Sequence, residues 1–462
     1  MLLNQLTIHQ AQEGLKKKKF SSVELVKSCL EQIKKDNQRL NILLTVVGED
    51  ELLKQAEKAD QQSQKFSSSS PLLGIPVVIK DIFCTKGIKT TAGAKILENF
   101  YPVYDATAVD KIKKAGAMII GKANLDAWAH GSSGENSDFG PTQNPVKEGF
   151  VPGGSSSGSA AAMAAHFALS AAGTDTGGSI RLPAAFCGVV GLKPTYGRIS
   201  RYGVIAMASS LDTVGCLTKD VTDAALMLKI MAGDDGYDAT APKIPVPDYP
   251  QLLTREMKKI KIGLPKEYFT AGLSKQIGEK IQEAVKKLEK LGFRIKEISL
   301  PHTRYALAVY YIIQPSEVSS NLARYDGIRY GLGRSFFGDE AKRRIMLGTH
   351  TLSSGYFDAY YLKAMKVRTL IKKDFEEAFK EVDVLLTPVS PTPPFKIGEK
   401  VNDPLKMYLS DIFTVTANLA GIPAISVPAG QADGLPVGLQ ILGPQFSEEK
   451  ILQVAYQYEQ YR

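Results

Sequence analysis

Cysteine is scarce and scattered in this chain. Cys29, Cys84, Cys187 and Cys216 form no Cys-x-x-Cys pair, so neither a disulfide framework nor a zinc knuckle organises the fold; buried free thiols are expected. Histidine is equally sparse, with five residues at no metal-ligand spacing. No apolar run approaches the ~20 residues of a membrane-spanning helix, and Met1 to Phe20 is too polar for a signal peptide. A soluble cytoplasmic protein with no membrane contact is expected. No Gly-Lys-Ser/Thr follows a glycine run, which excludes an ATP-cradling loop of that kind. The densest basic run, Lys16 to Lys19, has only Phe20 beside it, unlike the interleaved basic and aromatic residues of a single-strand RNA surface. The net charge of +9 leaves two readings open: an acidic or RNA partner, or a lysine-rich surface.

What is present is a globular composition, 44% hydrophobic and 23% charged over 462 residues, enough to bury a large core. Val151 to Ala185 is the most informative stretch. Two Gly/Ser turns, Gly153 to Ser159 and Gly177-Gly178-Ser179, bracket the apolar, alanine-rich segment Ala160 to Ala172. A flexible linker would be polar on both flanks; this segment is predicted to be a buried helix. Glycines let backbone N–H groups crowd a ligand, and adjacent serines can attack one. The pattern points to a serine-based active site. Gly154-Ser155-Ser156-Ser157-Gly158 also fits the nucleophile elbow of α/β-hydrolases, with Ser156 attacking and His130-Gly131 near the oxyanion. That reading needs a later histidine. His166 falls in the apolar segment, as a packed residue, while His302 and His350 stay open.

Helices alternate with short apolar strands, which indicates an α/β core. Ser21 and Glu24 form a capping box before a helix with Val23, Val26, Leu30 and Ile33 on one face. A polar helix follows over 50–65, and 61–70 reads as a loop. Leu72 to Ile79 reads as a central strand ending at Lys80-Asp81. Further helices are expected over 105–115, 221–231, around Ile277 to Leu288, through much of 305–380, and over 447–461. Further strands are expected at 118–120, 189–192, 260–264, 384–388, 425–428 and 439–442, the last three at the edge or end of the sheet. Residues 235–255 read as a proline-containing connection. There is no internal repeat, and no linker divides the chain.

Four segments carry a family resemblance across nearly the whole chain. They are Gly74 to Asp81, Gly131 to Ser137, Pro152 to Ser156, and Gly173 to Arg181. Together they resemble the amidase signature family. Arg198 to Gly203 and Tyr325 to Gly331 resemble the branch of it that serves glutamyl-tRNA(Gln) amidotransferases. The resemblance implies one amidase domain over 1–462: N-terminal helices to about 70, a signature core over about 71–220, and the remaining core with pocket helices beyond. It implies an α/β amidase signature fold, a mixed central sheet covered by helices on both faces.

The resemblance also implies a Lys–Ser–Ser triad. Ser179 is the nucleophile, Ser155 (on a cis peptide bond) bridges it to Lys80, and Lys80 is the base. The chemistry is sound, because a serine hydroxyl needs a base within reach and a desolvated lysine can stay neutral. Read alone, Lys80 is equally a solvated strand-end residue. Thr176, Gly177, Gly178 and Ser179 would offer N–H groups to the oxyanion, with Asp175 and Arg181 holding the turn as an ion pair. Ser132 and Ser133 would line the site. By resemblance Arg344 takes the α-carboxylate of glutamine, Asp411 its α-ammonium, and Tyr310 the substrate; a one-residue slip would put Arg343 or Tyr311 there instead.

The implied reaction releases ammonia from glutamine and passes it to a partner, the amidotransferase's B subunit, which amidates Glu-tRNA(Gln) with ATP and Mg. A small C subunit clamps the pair into a heterotrimer. No cofactor and no metal are expected in this chain. Three positions depart from the family pattern. Ser157 stands where glycine is usual, Gly134 where threonine is common, and Leu182 where glutamine is frequent. The segment between Tyr330 and Glu340 is also short. Two alternatives stay open: a stand-alone amidase for another small amide, and an inactive basic RNA-binding scaffold.

Overall fold

The computed structural model describes residues 2–65, 70–255, 260–269, 272–328 and 331–461. Eleven strands form one sheet in the order β1-β3-β2-β4-β6-β5-β10-β11-β9-β7-β8. They are β1 Leu43–Val46, β2 Pro76–Lys80, β3 Met118–Ala123, β4 Ser170–Asp175, β5 Val190–Lys193, β6 Thr213–Thr218, β7 Lys261–Pro265, β8 Arg294–Ile298, β9 Val384–Pro388, β10 Ala424–Ala432 and β11 Leu435–Leu442. The sheet is mixed. β3, β2 and β4 run parallel, as do β9, β7 and β8; the strands between alternate antiparallel.

Every residue of β2, β3, β4, β5, β6, β9 and β11 is buried. Strands buried on both sides need cover on both faces, and helices with one apolar stripe provide it. In Lys275–Lys290 that stripe is Ile277, Ile281, Ala284, Val285 and Leu288. The Ser21 capping box forms as its sequence specifies: Glu24 N–H donates to Ser21 Oγ at 3.1 Å, and Ser21 N–H to Glu24 Oε2 at 2.8 Å.

Several expectations need correction. The alanine-rich segment is not one helix. It divides into the helix Ser157–Ala164, a turn with His166 at φ +60°, and strand β4. Alanine's helix preference is a few tenths of a kcal/mol per residue, so tertiary burial overrides it. Because the segment is apolar throughout, it has no periodicity to mark the break. β9, β10 and β11 lie inside the sheet; β1 and β8 form its edges. The helix Glu49–Lys65 takes in 61–65, expected as loop; the rest of that expected loop, over 66–69, lies outside the described residues. Leu72 to Gly74 is a turn leading into β2. Arg329 and Tyr330 of the Tyr325 to Gly331 motif also lie outside the described residues.

Candidate active site

β2 and β4 are parallel neighbours, with Ile79 opposite Ala172. Their C-terminal ends therefore share one edge of the sheet, which brings Lys80 beside Thr174 and Asp175. Lys80 has no exposed surface. Its Nζ lies 2.8 Å from Ser155 Oγ and 2.8 Å from Thr174 Oγ1. Burial lowers its pKa to about 7, against the pull of Asp126, Asp175 and Asp212. An amine in that range is neutral often enough to accept a proton. The Gly154–Ser155 peptide is cis. The next residue ties this segment to the second turn: Ser156 N–H donates to the Ser179 carbonyl at 3.1 Å.

The second turn, 176–180, is folded around the Asp175 carboxylate. Asp175 accepts from the amides of Gly178 at 2.9 Å and Ile180 at 3.1 Å. Arg181 clamps it from the other side with Nε at 3.0 Å and Nη2 at 2.9 Å. Burial alone would raise the Asp175 pKa; Arg181, with Lys193 and Asn418, holds it well below the usual carboxylate range. Arg181 also donates to Gln440 and Asn418, each at 2.6 Å. One expectation fails here. The Gly178 amide is committed to Asp175 and is not free for an oxyanion. The amides of Thr176, Gly177 and Ser179 carry no protein acceptor among the described residues. Ser179 itself is 7% exposed.

The turn is packed too closely for larger residues. A Cβ on Gly177 would sit 2.6 Å from the Tyr310 hydroxyl, and one on Gly178 (φ +138°) 2.3 Å from Thr414 Oγ1. Thr414 Oγ1 donates to the Gly177 carbonyl at 2.6 Å. Thr176 Oγ1 donates to Asp212 at 2.7 Å, a carboxyl that burial raises to about 6 against that bond.

The expected pocket residues converge on the same place. Tyr310, on the helix Ala306–Asn321, rests on Gly177. Its neighbour Tyr311 donates to Asp411 Oδ2 at 3.1 Å, and Ser132 Oγ to the same oxygen at 2.6 Å. Burial lifts Asp411 to about 7 against those two bonds. Arg344 is 2% exposed. Its guanidinium stands 5.4 Å and 5.7 Å from the rings of Tyr311 and Tyr408, and Nε donates to Glu340 at 2.7 Å. Arg343 instead faces outward and pairs with Glu340 at the surface. The structure therefore puts Arg344, not Arg343, inside, and gives both tyrosines a place there. Ser133 is buried with its hydroxyl unpartnered.

Ser156 does not stand at a nucleophile elbow. No strand leads directly into it, and its hydroxyl donates to the Thr174 carbonyl at 3.0 Å. His302 pairs with Asp374, and His350 packs against Tyr356. Gly134 and Ser157 meet in space. A Cβ on Gly134 would lie 2.6 Å from Ser157 Cβ, so the Ser157 side chain occupies the space a side chain at 134 would need. Leu182 packs in an apolar cluster with Val151 and Phe186. One histidine does join carboxylates in space: His9 Nδ1 lies 3.4 Å from Asp220 and 3.2 Å from Asp223. Those contacts serve the N-terminal helix, whose Ile8 N–H also binds Asp223.

Sequence reasoning passed over Thr174, Asp212, Thr414 and Gln314.

A family model described as Amidase matches residues 24–452. A protein of Geobacter metallireducens, named as the A subunit of glutamyl-tRNA(Gln) amidotransferase, is 56% identical over 476 residues, covering 100% of this chain and 98% of that protein. A protein of the same name from another Geobacter species is 56% identical over 470 residues, covering 98% of this chain and 96% of that one. A crystal structure of the A subunit of glutamyl-tRNA(Gln) amidotransferase from Thermotoga maritima superposes with a TM-score of 0.84 at 44% identity, covering 98% of this chain and 94% of that one.

Proposed function

The chain belongs to the amidase family, and from that premise we propose that it is the glutaminase subunit of a glutamyl-tRNA(Gln) amidotransferase. We read the whole chain as one amidase domain. The observation that carries the chemistry is the fully buried Lys80, 2.8 Å from Ser155, beside a turn that offers unpaired amides and Ser179. The likeness to proteins of that name supports glutamine as substrate and ammonia as the product handed on.

In the proposed mechanism neutral Lys80 accepts the Ser155 proton as Ser155 takes the proton of Ser179. Ser179 Oγ bonds to the side-chain amide carbon of glutamine. The amides of Thr176, Gly177 and Ser179 stabilise the resulting oxyanion, a contribution of about 3–4 kcal/mol per donor in comparable sites. The proton then passes to the leaving nitrogen, the C–N bond breaks, and ammonia departs. Water attacks the glutamyl ester by the reverse relay and frees glutamate. Asp175 acts by shaping the turn. Arg344 pairs with the α-carboxylate and Asp411 with the α-ammonium.

ATP, Mg and tRNA chemistry belong in this reading to the B subunit, with the C subunit bridging the two. Among the described residues, no helix is long and apolar enough to cross a membrane, and we place the complex in the cytoplasm. The test is reconstitution. The chain co-purified with its B and C partners is given glutamine, ATP, Mg and Glu-tRNA(Gln). Gln-tRNA(Gln) should form, and Lys80→Met should abolish glutamine-dependent amidation while leaving amidation from added ammonia. Glutamine hydrolysis without tRNA amidation would favour a stand-alone amidase.

A further inference from the structure

We propose that His130 and Gln314 complete, with Arg344, a set of hydrogen-bond donors that reads the carboxylate of the substrate and sets the preference for glutamine over amides lacking it. The proposal rests on the glutaminase reading above. His130 is 1% exposed, and both its ring nitrogens are sealed from solvent without a partner. Buried polar atoms are nearly always paired in a folded protein, so an unpaired pair on one ring points to a ligand. Gln314 is fully buried too. Its Oε1 accepts from Arg344 Nη1 at 2.9 Å, while its Nε2 has no partner.

The fold places both residues beside the pocket. Tyr310 and Gln314 are four residues apart on one helix and share a face, and Tyr310 already rests on Gly177 of the catalytic turn. His130 lies two residues before Ser132, whose hydroxyl holds Asp411 at 2.6 Å. Burial, with the nearby Arg344 charge, keeps the His130 ring neutral, and a neutral imidazole still has one N–H to donate.

The chemistry of the set selects the ligand. Arg344 spends Nε on Glu340 and one N–H on Gln314, which leaves further N–H groups. Gln314 Nε2 and the His130 ring add donors. A carboxylate is acceptor-only and suits such a set. Asp411, which accepts from Ser132 and Tyr311, supplies the acceptor for the ammonium on the same carbon. The pocket is thus polarised to fit an α-amino acid in one direction.

The test compares glutamine with 4-aminobutanamide, the same amide without its carboxylate, on the complex with its partners. His130→Leu should lower the kcat/KM ratio of glutamine over 4-aminobutanamide by about 10- to 100-fold, mainly through KM for glutamine. His130→Gln, which restores a donor, should recover part of the ratio. Gln314→Met should lower the ratio as well, and decides the matter if His130→Leu fails to fold. An unchanged ratio in the folded variants, or equal losses on both amides, would overturn the proposal. Failure of the parent reading shows differently, as no glutamine hydrolysis by the wild-type complex.

Discussion

Lys80 Nζ lies 2.8 Å from Ser155 Oγ at a position that no solvent reaches. Burial sets the lysine near pH 7, and the neutral amine is the form that accepts a proton. Below that pH it is charged and cannot act as base; above it the neutral form dominates. kcat should therefore rise with pH through about 7 and then level. Asp411, also raised to about 7 by burial, must be charged to hold an ammonium, so kcat/KM should rise more steeply than kcat. Asp411→Asn should reduce that rise to a single step. A pH–rate profile of the complex measures both, and a flat kcat across the neutral range would remove Lys80 as the base.

Arg181 and Asp175 form an ion pair with no exposed surface on either side. Arg181→Met leaves the Asp175 carboxylate buried and unpaired, which costs about 3–5 kcal/mol. Urea unfolding should show a loss of unfolding free energy of that size, read from the midpoint and the slope m. Activity should fall too, because the same carboxylate folds the turn that carries Ser179.

Gly134 and Ser157 compete for one space. Gly134→Ala places a methyl 2.6 Å from Ser157 Cβ, at φ +87°. The overlap and the backbone conformation should together cost about 2–4 kcal/mol. Ser157→Gly in the same chain should recover the share due to overlap and leave the share due to φ. Thermal unfolding of the two single variants and the double variant gives the coupling; simple additivity would contradict it.

Arg344→Lys keeps the charge but loses the planar fork that stands 5.4 Å and 5.7 Å from the stacked rings of Tyr311 and Tyr408. KM for glutamine should rise about 10- to 100-fold with a smaller change in kcat. Steady-state kinetics on the complex would show this, and a KM within about twofold of wild type would place the carboxylate elsewhere.

Lys80, ending an apolar run, and Ser155 and Ser179, in glycine-rich turns, stand out in the sequence as candidates, and the fold brings Lys80 to within 2.8 Å of Ser155. The α/β class followed from alternating elements. β4 was not legible: Ser170 to Gly173 are small residues with little strand preference, and parallel pairing with β2 decides their conformation. Arg344 and Asp411 came only from resemblance, since local sequence makes Arg344 a helix-surface residue. What buries it is Tyr311 and Tyr408 closing over it from distant segments. Thr174 and Asp212 were missed for the same reason, as their roles depend on contacts across the sheet. Gly178 was misread because nothing in its own sequence shows that Asp175 occupies its amide.

The most direct test is glutamine hydrolysis by the co-purified complex, wild type against Ser179→Ala. Wild type should release glutamate and ammonia in equal amounts, and Ser179→Ala should release neither above background while still assembling with its partners. Glutamine hydrolysis that survives in Ser179→Ala would contradict the nucleophile and, with it, the relay from Lys80 through Ser155.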